Sequence, residues 1–388
     1  MTPQRADEGA RSRGASPASS NVQDRFSERE RTFMRRALDL AALGLYTTTP
    51  NPRVGCVLVK DGEIIGEGWH AQAGLPHAEA NALADARRRG VDPRGAIAYV
   101  TLEPCNHHGR TPPCTDALIE NGIARVVAAM ADPNPAAAHG AARLHEAGIA
   151  VDIGLLEDEA LELNPGFVSR MRRGTPWVRV KAAVSLDGRT ALESGESRWI
   201  TDAEARADGH AWRARACAIL TGIGTVRQDD PELTVRAVAT PRQPLRVIVD
   251  RHAETPLDAR ILAGGPVLIA TAGPRNAQWP QSVETIALPD DGGRIDLPAL
   301  LRELARRGMN EVHVEAGAKL NGALLALGLV DEILLYVAPK ILGDPARGMF
   351  ELPSALAELS KATPLEFCSV ERVGGDLRIV ARVVREGA

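Results

Sequence analysis

Three residues that hold one metal ion must meet in space, and such a trio restricts the fold of this 388-residue chain more than any other feature: His77, Cys105 and Cys114. One imidazole and two thiolates fill three corners of a tetrahedral zinc site and leave the fourth for water. An open corner is what a hydrolytic centre needs, because zinc brings the pKa of the water it holds towards neutrality. Glu79, two residues past His77 at a helix start, is placed to carry a proton from that water to a departing amine. Taken singly, each thiol would pass for a small packed hydrophobe. All four groups in this order, with Glu103-Pro-Cys105 after an apolar strand, point to a metal-dependent hydrolase. Eight residues separate the cysteines, and among them His107 and His108 are read with Arg110 as a loop over the metal. A guanidinium there is suited to a substrate phosphate.

The chain is too long for one ordinary core and suits two domains. With 44% apolar and 25% charged residues it reads as globular, and a net charge of −4 gives no reason to expect nucleic acid as partner. No apolar run is long enough to cross a bilayer, so no membrane partner is expected. Cys56, Cys105, Cys114, Cys217 and Cys368 are too few and too scattered for a disulfide scaffold. Reduced thiols and a cytoplasmic location are the expectation. Residues 1–26, rich in Arg, Ser, Ala and Gly, read as a disordered extension.

Ser27 and Glu30 have capping-box spacing, and Phe33, Ala37, Leu40 and Ala41 mark one face of the helix that follows. A hairpin over 54–69 turns at Asp61-Gly62. Helices at 77–89, 112–121 and 138–147 then alternate with strands at 96–101, 125–130 and 149–153. This is an α/β sheet with helices on both faces. A junction is expected over 164–175, giving a first domain of 27–170 and a second of 171–388. In the second, strands are expected near 177–184, 217–221, 245–250, 266–271, 311–315, 331–338 and 377–384, and helices near 202–215, 298–307 and 317–327. No Gly-x-Gly-x-x-Gly follows a strand. Thr221-Gly-Ile-Gly-Thr225 reads as a tight turn, whereas Glu315-Ala-Gly317, where a strand gives way to a helix, offers backbone N–H groups to a phosphate.

The His-x-Glu, Pro-Cys and Cys order resembles the cytidine-deaminase-like signature, in which the Glu is not a ligand. The long run from Leu102 to Cys114 narrows the resemblance. With Asn51-Pro-Arg-Val-Gly-Cys56, Gly68-Trp-His70 and Asp132-Pro-Asn-Pro135, it is similar to the bifunctional diaminohydroxyphosphoribosylaminopyrimidine deaminase / 5-amino-6-(5-phosphoribosylamino)uracil reductase family. Matches in the second half include Lys181, Ser185-Leu-Asp-Gly-Arg-Thr190, Gly195-Glu-Ser-Arg-Trp-Ile-Thr201, Asp229-Asp-Pro231, Leu233-Thr-Val-Arg236 and Val314-Glu-Ala-Gly317.

The resemblance implies a cytidine-deaminase-like three-layer α/β/α domain followed by a dihydrofolate-reductase-like α/β domain. It implies riboflavin biosynthesis: deamination of a ribosylaminopyrimidine phosphate, then reduction of its ribosyl unit by NADPH. By carry-over, His77, Cys105 and Cys114 hold Zn2+ and Glu79 moves protons, while Asn51, His70, His107 and Arg110 line the pyrimidine phosphate site. NADPH would touch Ala183, Trp199, Thr225, Asp229, Gly317, Ala318, Lys319, Leu320, Asn321, Gly322 and Ala323, with Arg251 on its 2′-phosphate. Substrate would meet Ser197, Arg213, Leu233, Arg236 and Glu315, with Arg213 and Arg236 on the phosphate and Lys181 and Asp229 assisting protonation at the reduction step. Enzymes of this size in the pathway often self-associate, so a homo-oligomer is expected. One departure is the loop Ala136-Ala-Ala-His-Gly140, where relatives carry Val-Ala-Gly, a basic residue and Gly with one residue more. It motivates an alternative, a reductase-only enzyme with an inactive deaminase domain.

Overall fold

The computed structural model describes residues 25–109 and 112–385. All but the last two residues of the expected extension therefore lie outside the described residues. One of those two corrects the boundary: Phe26 is buried in the core of the first domain. The first helix, α1 (Glu28–Ala42), opens with the expected capping box. The Ser27 hydroxyl accepts from the Glu30 amide at 3.3 Å, and the Glu30 carboxylate accepts from the Ser27 amide at 2.8 Å. Its buried stripe is Met34, Ala37, Leu40 and Ala41, while Phe33 leans on the Tyr99 ring 5.3 Å away.

The first domain continues with β1 (Gly55–Lys60), β2 (Glu63–Trp69), α2 (Ala78–Arg88), β3 (Ile97–Val100), α3 (Cys114–Glu120), β4 (Arg125–Ala128), α4 (Gly140–Glu146), β5 (Ala150–Ile153), α5 (Glu157–Leu163) and α6 (Pro165–Arg173). Its sheet runs β2-β1-β3-β4-β5. Successive strand residues point to opposite faces, and both faces are covered. Cys56 and Leu58 pack with α2, α3 and α4, whereas Val57 and Val59 pack with α1, α5 and α6. These are the three expected layers. Glycines let α2 lie directly on β2: a Cβ on Gly68 would come within 2.4 Å of the Ala78 carbonyl and the Ala82 amide.

The second domain adds β6 (Trp177–Ser185), β7 (Arg189–Ala191), α7 (Ala203–Arg215), β8 (Ala218–Gly222), α8 (Ile223–Asp229), β9 (Leu245–Val249), β10 (Val267–Thr271), β11 (Val283–Ala287), α9 (Leu297–Arg306), β12 (Glu311–Val314), α10 (Ala318–Ala326), β13 (Glu332–Ala338), β14 (Arg347–Gly348), β15 (Leu365–Val373) and β16 (Asp376–Val383). Its nine-stranded sheet has the order β11-β10-β9-β8-β12-β6-β13-β16-β15. Pairing is parallel from β11 to β13 and antiparallel through β16 and β15. The run expected as a tight turn at 221–225 instead leads into α8. The edge strand β15 escaped the sequence reading because its apolar residues, Leu365, Phe367, Cys368, Val370 and Val373, keep no period of two, and its pairing with β16 shifts register between Phe367 and Ser369.

The expected junction is a helix. α6 begins at Pro165, a favoured first helical position, and presses Gly166 on the second domain, where a Cβ would lie 2.5 Å from the Asn310 carbonyl. Beside it is a buried ion cluster. Glu311, at the N-terminal end of β12, accepts from Arg53 of the first domain at 2.8 Å, from Arg179 at 3.1 Å and from Arg215 at 2.8 Å. Arg179 also donates to Glu332. Removing the shared carboxylate would leave its three guanidinium partners short of a buried counter-charge. Glu311→Ala is therefore expected to cost about 3–5 kcal/mol of stability; an unchanged urea midpoint would show that the cluster does not hold the domains together.

Candidate active sites

The metal-ligand trio assembles from two helix starts and a loop. His77 immediately precedes α2, Cys114 is the first residue of α3, and Cys105 follows β3. The His77 Nδ1 lies 3.3 Å from the Cys114 Sγ and 3.5 Å from the Cys105 Sγ, and the three ligand atoms lie within 4.8 Å of one another. Tetrahedral zinc with ordinary bond lengths sets neighbouring N and S ligand atoms about 3.6 Å apart, so the donor set and its spacing fit. The Cys114 amide donates to the Cys105 Sγ at 3.4 Å. Hydrogen bonds from Cys114 and then His77 hold the Cys105 thiol down at about 4, while its bond to Cys105 and burial push Cys114 up. Glu79 is fully buried in the first turn of α2, and burial raises its carboxyl pKa.

Asn51 and His70 join this site. The Asn51 Nδ2 is 3.0 Å from the His70 Nε2, the His70 Nδ1 is 3.2 Å from the Pro76 carbonyl, and the His70 ring stands edge-on to His77 at 5.1 Å. Burial lowers the His70 pKa, and the Pro76 carbonyl beside Nδ1 with the Asn51 amide nitrogen beside Nε2 matches the tautomer in which Nδ1–H donates and Nε2 accepts. His107 has a buried Nδ1 with no hydrogen-bond partner among the described residues; Arg110 lies outside them. The loop 136–140 closes on the metal-ligand trio. Ala137 packs against Cys105 and Cys114, and its carbonyl accepts from the Asn106 amide at 3.2 Å. A Cβ on Gly140 would fall 1.8 Å from the Pro104 carbonyl. The sequence reading gave no role to Glu103 or Asp132. Glu103 accepts from the amides of Asp132 at 3.1 Å and Ala141 at 2.9 Å, and burial raises Asp132 to about 6.

A second cluster of charged side chains gathers at the C-terminal end of β12, the end of the parallel strands at which open α/β sheets receive ligands. Arg213 of α7 grips Glu315, just past β12, through two hydrogen bonds, one of 2.9 Å between Nη2 and Oε2. Against the cost of burial, Arg213 keeps Glu315 well below the usual carboxylate range. Burial lowers the pKa of the neighbouring Lys181, whose Nζ is 5.7 Å from the Tyr336 ring centroid. Tyr336 donates to Asp208 at 2.5 Å. Arg236 contacts Glu232 at 2.5 Å and Thr234 at 2.9 Å. Leu233 is buried with φ of +50°.

Trp199 is 63% exposed, with the Arg206 guanidinium 4.5 Å from its ring centroid. Asp229 ends α8; its carbonyl accepts from Arg198, and burial raises its carboxyl pKa. Thr225 lies on the same short helix, Ala183 on β6, and Ser197 is half-buried in the loop before α7. Arg251 is exposed just past β9, against the Gly293 turn. Along 317–323, Gly317 and Lys319 are exposed, Ala318 is half-buried, and Leu320 and Ala323 pack at the edge of the core. Asn321 and Gly322 turn inward. Asn321 donates to the Met349 carbonyl at 3.1 Å, and a Cβ on Gly322 would meet the Glu351 carbonyl at 1.9 Å.

Residues 27–130 match the cytidine and deoxycytidylate deaminase zinc-binding region, and residues 176–379 match the RibD C-terminal domain. The riboflavin biosynthesis protein RibD of Escherichia coli (strain K12) is 49% identical over 359 residues, spanning 89% of this chain and 97% of that protein. The chain belongs to the RibD family. The RibD of Aquifex aeolicus is 39% identical over 361 residues, spanning 91% of this chain and 98% of its own. Among solved structures, Acinetobacter baumannii RibD superposes with a TM-score of 0.85 at 42% identity, covering 92% of this chain and 99% of that one. The Thermotoga maritima deaminase/reductase superposes with a TM-score of 0.83 at 38% identity, with the same coverage. The protein is thus a bifunctional deaminase and reductase of riboflavin biosynthesis with a zinc-binding deaminase domain, and the two sites fall in the two matched regions.

The sequence reading also missed His210, although Arg206, His210 and Arg213 follow one face of α7 at helical spacing. The His210 Nδ1 accepts from the Arg236 amide at 3.3 Å. Burial, then Arg213 and Arg236, push its pKa down to about 4. A depressed histidine contributes stability that is present above the ordinary range near ~6.5 and lost as pH falls through the folded value. An NMR titration assigned with His210→Gln should find His210 neutral down to about pH 5, and a midpoint near the ordinary value would contradict this placement.

Proposed function

We propose that the first domain deaminates 2,5-diamino-6-ribosylamino-4(3H)-pyrimidinone 5′-phosphate and that the second then reduces the product with NADPH to 5-amino-6-(5-phosphoribitylamino)uracil. The observation that carries this reading is the His77, Cys105 and Cys114 trio beside buried Glu79, in one chain with the Lys181, Arg213 and Glu315 cluster. The completeness of the trio also favours an active deaminase over a reductase-only enzyme.

Zinc on the trio would supply a Lewis acid for water at C2 of the ring. Glu79 takes a proton from the attacking water and delivers it to the departing amine, and its raised proton affinity suits both transfers. His70 orients Asn51 so that the Asn51 amide oxygen is left to accept from the pyrimidine. His107 and Arg110 would take the polar groups and the phosphate of the substrate.

At the second site NADPH would supply hydride to C1′ as the bond from C1′ to the ring oxygen breaks. The freed oxygen takes a proton, with Lys181 and Asp229 as the acids; burial weakens the hold of Lys181 on its proton. Glu315 fixes the Arg213 fork, and Arg213 and Arg236 receive the phosphate, while Ser197 and Leu233 border the ribosyl chain. Ala183, Trp199, Thr225, Asp229 and residues 317–323 would hold the cofactor, with Arg251 on its 2′-phosphate. Its exposed guanidinium at the end of β9 supports that last assignment. The apolar edge of β15 supports a homo-oligomer. All five cysteines are free thiols, which supports a cytoplasmic location, and among the described residues no helix is long and apolar enough to cross a membrane.

The test follows ammonia release and NADPH loss together with the diaminopyrimidinone phosphate. Ammonia is expected first and NADPH loss after it. Glu79→Gln should abolish ammonia release and spare NADPH oxidation on deaminated substrate, and Asp229→Ala should do the reverse. A Glu79→Gln enzyme that still releases ammonia would remove the deaminase assignment, and unchanged turnover in Asp229→Ala would remove Asp229 from the reductase site.

A further inference from the structure

We propose that the reductase domain positions the deaminase residue Asn51, with Asn310 and Arg242 as positioning residues for the deamination step. This rests on the reading that Asn51 binds the pyrimidine.

The loop 46–53 between α1 and β1 belongs to the deaminase domain, yet much of its anchorage comes from the other domain. Arg242 donates from Nε to the Tyr46 carbonyl at 3.0 Å while its other nitrogens hold the carbonyls of Ala214 at 3.1 Å and Ala216 at 2.8 Å. The Thr49 hydroxyl lies 3.3 Å from the Cys217 Sγ, and Arg53 reaches Glu311. The decisive bond is from the Asn310 Nδ2 to the Pro50 carbonyl at 3.1 Å. That carbonyl shares a planar peptide unit with the Asn51 nitrogen. The Asn51 N–H donates to the Thr48 carbonyl at 2.9 Å, so both ends of the plane are held. Arg170 supports the arrangement, donating to the Asn310 Oδ1 at 2.6 Å and to the Pro50 carbonyl at 3.2 Å. The orientation of this plane sets where the Asn51 side chain leaves the backbone, and that side chain meets His70 beside the metal ligands. Asn310 and Arg242 lie near the N-terminal ends of β12 and β9, away from the reductase cluster at the other end of β12.

The test is a cycle in the full-length enzyme with Asn51→Ala, Asn310→Ala and the double variant. Asn310→Ala should raise the deaminase KM about fivefold, the worth of one neutral hydrogen bond, with kcat little changed, because lost substrate positioning acts as lost uniform binding. Zinc content and reductase turnover on deaminated substrate should match the parent. The double variant should have the KM of Asn51→Ala alone, since residues acting through one another are not additive. If Asn310→Ala fails to accumulate, Arg242→Lys takes its place, because an ammonium cannot span carbonyls of both domains as the guanidinium does. Additive effects would overturn the proposal, as would an unchanged KM in the positioning variant or a parallel loss of reductase turnover. An Asn51→Ala enzyme with parental KM would instead remove the underlying reading of Asn51, and the proposal with it.

Discussion

Glu311 gathers three guanidinium groups in the interior, and the joining of the two domains is organised around that carboxylate. Burying an ion costs several kcal/mol unless partners of good geometry replace its water. Arg53, Arg179 and Arg215 do so from different elements, one of them in the other domain. Burial alone would raise the Glu311 pKa, yet the three cations hold it below the carboxylate range. An arrangement of this kind tolerates little sliding, because any displacement strands charge away from water. It explains why α6 and the loop 46–53 are both pressed on the strand entry at Asn310 and Glu311 rather than joined to it by a slack linker.

β12 carries the architecture in small compass. Glu311 at its start faces the domain junction, and Glu315 just past its end anchors Arg213 in the second cluster. Four residue steps along the strand separate them by roughly 13 Å. The neighbouring β6 repeats the pattern, with Arg179 in the ion cluster and Lys181 beside Glu315. The alternate neighbours, Val178 and Val180 on one strand and Val312 and Val314 on the other, belong to the apolar core. The two strands thus carry polar side chains on one face, with buried His313 between Glu311 and Glu315, and valines on the other.

The sequence was most legible where chemistry dictates residue type. An imidazole, two thiols and a carboxylate in fixed order could be read because few other demands produce them, and the structure brings all four together. The α/β alternation was legible from buried strands and from the Ser27 capping box. Long-range charge was not. Arg53 and Glu311 are 258 positions apart and each looks like a surface residue in sequence. Arg213 was read toward phosphate alone, and only the fold shows its carboxylate partner. β15 hides because its apolar residues keep no period of two, α8 because its seven residues begin with a glycine-containing run, and Phe26 because one apolar residue at the end of a polar tract carries no period. The departing loop was noticed in sequence, but its packing of Ala137 on both cysteines was not available there.

The loop bearing Asn51 sits at one edge of the second domain's parallel strands, and the cluster of Lys181 and Glu315 lies at the other. Within a single chain, the length of the parallel strands separates the loop that carries Asn51 from Lys181 and Glu315. The fusion does not by itself bring these two places together. What it guarantees is stoichiometry: each copy synthesised brings one deaminase and one reductase, so the flux capacities of consecutive steps rise and fall together.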